Sequence, residues 1–416
     1  MKKHMMAALL LAMALAGCGG GGSSNPPQTT QSNPTTTGGT VKPTTPTTTT
    51  TSALANQVSV VVGGTTGSKN SPLVSVTLCQ TGTSNCTTIP NILVDTGSTG
   101  LRVFKSVLPT TLSLAAETSP STGNALSECM NFAGGVAWGP MVLADVKMAG
   151  ETGSSVPVQV IDNTSALLPS SCSSENSLMT QSALMANGIL GIASARDCGD
   201  GCITAGTGSW YFECTASSCT SYGAPWAQQT TNPVTKFAAD NNGAILSFPG
   251  LANGVSASVT GTLTFGLDTQ SDNSSTGVSL VEGVSNGMAT TYNGSAMLAT
   301  FDSGSTSDFI GSAPFPTCTV YGLTWFCPTS TTTQSAAFQG GGLALSVSFK
   351  IANAQTVLAQ SGIAFADVAE SSTLFSEEYL DLGMSYLYGH NLFLGYPGTT
   401  GTAAMIGVQD NQATVQ

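Results

Sequence analysis

The chain of 416 residues is poor in charge: Asp, Glu, Lys and Arg together make up only 8% of it. Ten cations stand against 22 acids, a net charge of −12, so a nucleic-acid backbone or an anionic membrane surface finds little to bind. Histidine is scarcer still, with two in the whole chain. That inventory argues against a zinc site of Cys/His type, and a serine triad would have to be built on His390. Gly97-Ser98-Thr99-Gly100 lacks the spacing of a Gly-x-Ser-x-Gly nucleophile turn, and no Gly-rich phosphate loop of Walker or dinucleotide type occurs. Aromatics are 6%, which argues against a carbohydrate-stacking platform. No metal, cofactor or nucleic acid is expected.

The apolar run from Met5 to Leu15 follows Lys2 and Lys3 and falls short of the roughly 20 residues that span a bilayer. It reads as a signal peptide over residues 1–17. Leu15-Ala16-Gly17-Cys18 resembles the lipobox of bacterial lipoproteins, which implies cleavage before Cys18 and a diacylglycerol on its sulfur. Gly19, where an aspartate would favour the inner membrane, implies an outer-membrane lipoprotein facing the periplasm or the cell surface. Residues 18–55 are almost wholly Gly, Ser, Pro, Gln and Thr after the cysteine and are expected to form a disordered tether. Fully extended at about 3.3 Å per residue, it reaches on the order of 100 Å.

The rest of the chain exceeds one ordinary domain, so two lobes are expected. Its 48 glycines and abundant Ser and Thr suit short strands joined by many turns. Of 11 cysteines, ten remain once Cys18 is set aside, an even number in a chain bound for an oxidising space. Cys79 with Cys86, Cys214 with Cys219 and Cys318 with Cys327 are expected as local clips, and Cys198 with Cys202 and Cys129 with Cys172 complete the set.

Chemistry enters where an apolar strand, Asn91 to Val94, runs into Asp95-Thr96-Gly97-Ser98. A second copy follows Ala299 to Phe301, as Asp302-Ser303-Gly304-Ser305. One Asp-Thr-Gly is an ordinary turn. Two copies, each after an apolar strand and 207 residues apart, point to a carboxylate pair. Such a pair activates water without metal: one carboxylate takes the water proton while the other donates to the carbonyl oxygen under attack. Mutual repulsion leaves one ionised and one protonated. The glycines permit close approach of the loops, and the hydroxyls of Thr96, Ser98, Ser303 and Ser305 are placed to fix the carboxylate planes.

Asp95 to Leu101 resembles the first active-site loop of pepsin-like aspartic peptidases, and the resemblance continues in chain order. Asn187 to Ile192 is similar to the hydrophobic-hydrophobic-Gly strand beneath that loop, and Gly261 to Gly266 to the strand crossing between lobes. Leu387-Tyr388-Gly389 is expected as the second lobe's hydrophobic-hydrophobic-Gly element. Asn131 to Gly135, with Trp138 and Gly139, looks like the flap hairpin. The resemblance implies an all-β, bilobal fold with an N-terminal lobe over 56–255, carrying Asp95 and the flap, and a C-terminal lobe over 256–410, carrying Asp302. It implies an aspartic endopeptidase acting on peptides or proteins. The alternative is an inactive relative that holds a peptide or surface partner in the same cleft. A monomer is expected, since one chain supplies both aspartates.

Three residues depart from the family's pattern. Phe132 stands where the flap usually has tyrosine, and Arg102 where many members have tryptophan. With no flap hydroxyl to bind, a guanidinium is free to pack on the phenyl face. His390 follows the Leu-Tyr-Gly element, and near Asp302 its charge would lower the pair's pKa.

Overall fold

The computed structural model describes residues 55–63, 68–162, 164–165, 167–172, 177–193, 196–206, 210–371, 378–397 and 403–415. The expected signal peptide, Cys18 and the tether up to residue 54 lie outside them. No helix among the described residues is long and apolar enough to cross a membrane.

Burial patterns decide which strands form walls and which lie inside. In Leu343–Ile351 exposed and buried residues alternate, so one face packs and the other meets water. Its partner Thr332–Gly340 is joined by Gly341-Gly342, with φ of +57° and +79°, the left-handed pair that a two-residue hairpin turn demands. By contrast, every residue of Gly188–Ile192 is buried.

Among the described residues, a 16-stranded and a 9-stranded sheet carry most of the chain. The larger begins in the first lobe and runs on into a platform that includes Gln57–Val62, Val259–Phe265, Gly243–Ser247, His390–Gly395 and Met405–Asp410. Val259–Phe265 pairs antiparallel with Gln57–Val62 on one side and Gly243–Ser247 on the other, so distant parts of the chain meet there. The smaller sheet forms the wall of the second lobe. The protein is therefore all-β and two-lobed, with a cleft between the lobes.

Each lobe contains the same crossed arrangement. In the first, Cys86–Asp95 runs parallel to Gly188–Ile192, with Asp95 opposite Gly191; the chain turns, and Thr99–Phe104 pairs antiparallel with the other edge. In the second, Ser295–Asp302 runs parallel to Tyr379–Gly383, with Asp302 opposite Gly383, and Asp308–Ile310 returns along the other edge. The crossing strand of the second lobe is thus Tyr379–Gly383, which corrects the assignment of Leu387-Tyr388-Gly389. The physical reason is the close passage of the loop. A Cβ on Gly383 would strike the Ser307 carbonyl, as one on Gly191 would strike the backbone of Ser98 and Thr99. Leu387 instead ends a short helix, Met384–Leu387, and Gly389 turns the chain at φ +84° into His390–Gly395.

All ten cysteines among the described residues are joined in the expected pairs: Cys79–Cys86, Cys129–Cys172, Cys198–Cys202, Cys214–Cys219 and Cys318–Cys327. Each bridge closes a segment within one lobe.

Candidate active site

The two loops meet through a reciprocal set of hydrogen bonds. The Thr96 amide donates to Ser303 Oγ at 3.1 Å, and the Ser303 amide donates to Thr96 Oγ1 at 2.9 Å. Each hydroxyl then donates across the lobes to a carbonyl, Thr96 Oγ1 to Phe301 at 2.7 Å and Ser303 Oγ to Val94 at 2.8 Å. Both amides and both hydroxyls of the pair are satisfied, so the grip adds order without leaving these buried groups orphaned. Ser285 Oγ donates to the Thr96 carbonyl from the strand edge behind it.

This grip presses the carboxyls together. A Cβ on Gly97 would lie 2.5 Å from Asp302 Cγ, and one on Gly304 would lie 2.9 Å from Asp95 Cγ, so glycine is the residue that fits at both places. Asp95 Oδ1 accepts from the amides of Gly97 at 2.7 Å and Ser98 at 3.2 Å, and Oδ2 accepts from Ser98 Oγ. Asp302 Oδ1 accepts from the Gly304 amide at 2.8 Å and Oδ2 from Ser305 Oγ at 2.9 Å. Burial, followed by the adjacent Asp95 carboxyl and then Asp381, pushes Asp302 well above the usual carboxylate range. Two carboxyls in contact that share one proton can accept a proton and donate one at the same time.

The flap is the hairpin of Ala125–Phe132 with Gly135–Met148, tightly turned at Ala133-Gly134. Phe132 is buried in a first-lobe cluster with Met130, Ile161 and Ile189. Ala133 at the tip reaches over to Phe309 and Tyr379 of the second lobe. Beneath it Asp95 is 5% and Asp302 2% exposed. The pair is therefore covered in this state.

Arg102 lies behind the flap and is fully buried. Its guanidinium carbon stands 5.5 Å from the Phe132 ring centroid, within cation–π range. Arg102 Nη2 also pairs with Glu128 at 2.5 Å and Asp197 at 3.1 Å, while Nη1 donates to the Thr99 carbonyl at 2.6 Å. Burial opposes the charge on Arg102, but Glu128 and Asp197 outweigh it and hold the cation. Burial raises Asp197 well above its ordinary value despite Arg102. Neither acid was singled out by sequence. The available signal was Glu128 within a strand that is otherwise buried and mostly apolar, facing the need of Arg102 for a partner.

His390 sits apart from the pair. Its ring stacks on Tyr386 at 4.2 Å between centroids, Nδ1 meets the Tyr386 carbonyl at 2.7 Å, and Nε2 lies 3.6 Å from Asp410. Burial lowers its pKa, so at neutral pH it is uncharged. The acids around Asp302 are instead Asp95 and Asp381. His390 is thus a packing residue of the platform edge, which corrects its assignment to the cleft. Among the described residues, no group of three or more His, Cys, Asp and Glu is arranged to hold a metal ion.

Two lobes of crossed strands, each delivering one aspartate to a shared grip, define the fold of pepsin-like aspartic proteinases. An aspartic proteinase from Irpex lacteus has a crystal structure that superimposes with a TM-score of 0.50 over 86% of this chain and 97% of that one, at 17% identity. That likeness is one of fold. Residues 52–407 match the family described as a protein of unknown function, DUF3443, and the chain belongs to that family. No curated protein matches it in sequence.

Proposed function

We propose that the protein is an aspartic endopeptidase held in the bacterial cell envelope by a lipid on Cys18. The observation that carries this reading is the contact between Asp95 and Asp302, with both supporting hydroxyls, Ser98 and Ser305, on the carboxylates. One carboxylate takes a proton from a bound water as the water oxygen bonds to the peptide carbon. The other gives its proton to the carbonyl oxygen. Collapse of the resulting diol breaks the C–N bond, with a proton delivered to the leaving nitrogen. The substrate is an extended peptide or protein segment, and the flap tip lifts from Phe309 and Tyr379 to admit it.

The test is incubation of the exported part with a mixed peptide library from pH 3 to 8, beside Asp95→Asn and Asp302→Asn. Cleavage lost in both variants and blocked by a pepstatin-type inhibitor is the expected result. Cleavage at no pH sinks the reading. A second reading, a protein that holds peptides in the cleft without turnover, draws on the covered pair and on Phe132 and Arg102 in place of the family's usual residues. Tight peptide binding by a wild type that never cleaves would favour it. For the anchor, Cys18→Ser is expected to move the protein from membranes to the soluble fraction.

A further inference from the structure

Ser305 Oγ stands between two carboxyls, 2.9 Å from Asp302 Oδ2 and 2.7 Å from Asp381 Oδ2. A serine hydroxyl has one hydrogen to give. Were both carboxyls ionised, one of these contacts would set lone pair against lone pair. At least one of the two is therefore protonated, and that proton points at Ser305.

Asp381 is the better place for it. It is 1% exposed, and among the described residues it has no salt-bridge partner and its Oδ1 has no hydrogen-bond partner. The ionisable groups facing it are all acids: Asp302 and Asp95 from the two loops, Asp308 from the returning strand, and the Tyr379 phenol on its own strand. Asp302, by contrast, also accepts from the Gly304 amide. Burial first, then Asp308 and Asp95, push Asp381 well above the ordinary range, with Ser305 opposing. At the matching position of the first lobe, register places Ile189 where the second has Asp381.

We propose that Asp381 is a positioning residue for Asp302: a third carboxyl that, through Ser305, shares protons with the aspartate pair and keeps that pair singly protonated to higher pH than two carboxyls alone. The shift is concerted. The Asp381 Oδ2 proton passes to Ser305 Oγ as the Ser305 hydrogen passes to Asp302 Oδ2, the negative charge moves from Asp302 to Asp381, and nothing is oxidised. Once Asp381 is ionised, its charge opposes loss of the last proton from the pair. This role rests on the peptidase reading, whereas the protonation state of Asp381 does not.

The experiment has two arms on the exported chain. In the first, aspartate carboxyl carbons are labelled with 13C, and the resonance missing from Asp381→Asn reports Asp381. It is expected at the position of a protonated carboxyl at pH 6; a resonance that titrates near the ordinary value of about 3.9 overturns the proposal. In the second, pH profiles of kcat/KM are compared for wild type, Asp381→Asn and Asp381→Leu. Both substitutions are expected to lower the alkaline limb by at least one pH unit. Limbs that coincide with the wild type overturn the proposal even if the variants are slower. If the wild type cleaves nothing, the peptidase reading and the catalytic role fall together, and the carboxyl resonance still decides where the proton resides.

Discussion

The two lobes are built on one plan and differ in where they bury charge. A shift of 207 residues carries Asp95 to Asp302, Thr96 to Ser303 and Ser98 to Ser305. The same shift carries Arg102 to Phe309 and Leu101 to Asp308, and the strand register sets Ile189 against Asp381. The first lobe thus sets a cation between its buried acids Glu128 and Asp197, with burial still raising Asp197, while the second holds Asp302, Asp308 and Asp381 with no ion-pair partner among the described residues. A buried charge needs either an opposite charge or a proton. The first lobe draws on both, with Arg102 between Glu128 and a raised Asp197, and the second holds its three acids by protons, so salt and pH should act on them differently.

Breaking the cationic solution has the largest expected effect. Arg102→Met leaves Glu128 and Asp197 buried without their partner and should lower stability by about 3–5 kcal/mol, read from urea unfolding. The grip comes next, because it belongs to both lobes equally. Thr96→Ala and Ser303→Ala each strand a backbone amide and a carbonyl, and each should cost about 2–3 kcal/mol in unfolding and at least tenfold in kcat. Unequal losses would show that one lobe carries the pair alone.

The protonated solution predicts the pH dependence. Asp302, Asp308 and Asp381 are held above their ordinary range, and burial raises Glu370 from 4.5 to about 7. A carboxyl raised on folding contributes stability fully below its unfolded value and loses it as pH climbs through the folded value. The second lobe should therefore loosen as pH rises from about 4 towards 8, seen as faster amide exchange once intrinsic rates are corrected. Glu370→Gln should remove up to one proton's worth of that slope, ~1.4 kcal/mol per pH unit, between 4.5 and about 7. The smallest effect is expected at the flap. Phe132→Leu keeps the apolar packing but loses the cation–π contact, about 1 kcal/mol, by the same urea assay.

The parts legible in sequence were those set by local pattern. Asp95 to Ser98 and Asp302 to Ser305 show as turns at the ends of apolar strands, the flap as a Gly-rich turn, and Asn187 to Ile192 as an asparagine followed by an unbroken run of Gly, Ile and Leu. Asp381 was missed because it interrupts the apolar run that marks the equivalent strand of the first lobe, which made Leu387-Tyr388-Gly389 look the better match. Its protonated state comes from burial, which no residue pattern states. Glu128 and Asp197 lie 26 and 95 residues from Arg102, and only folding brings them to it. His390 was drawn to the cleft by its neighbours in sequence, whereas its ring faces Tyr386 and Asp410.

The disulfides carry a mechanical consequence. They tie residues separated by 7, 43, 4, 5 and 9 positions. Each therefore hardens one jaw and none bolts the jaws together. Across the cleft the molecule is held by sheet pairing, the grip and the flap tip, none of which is a covalent link. An oxidising environment thus stiffens each half of the vise without locking one half to the other.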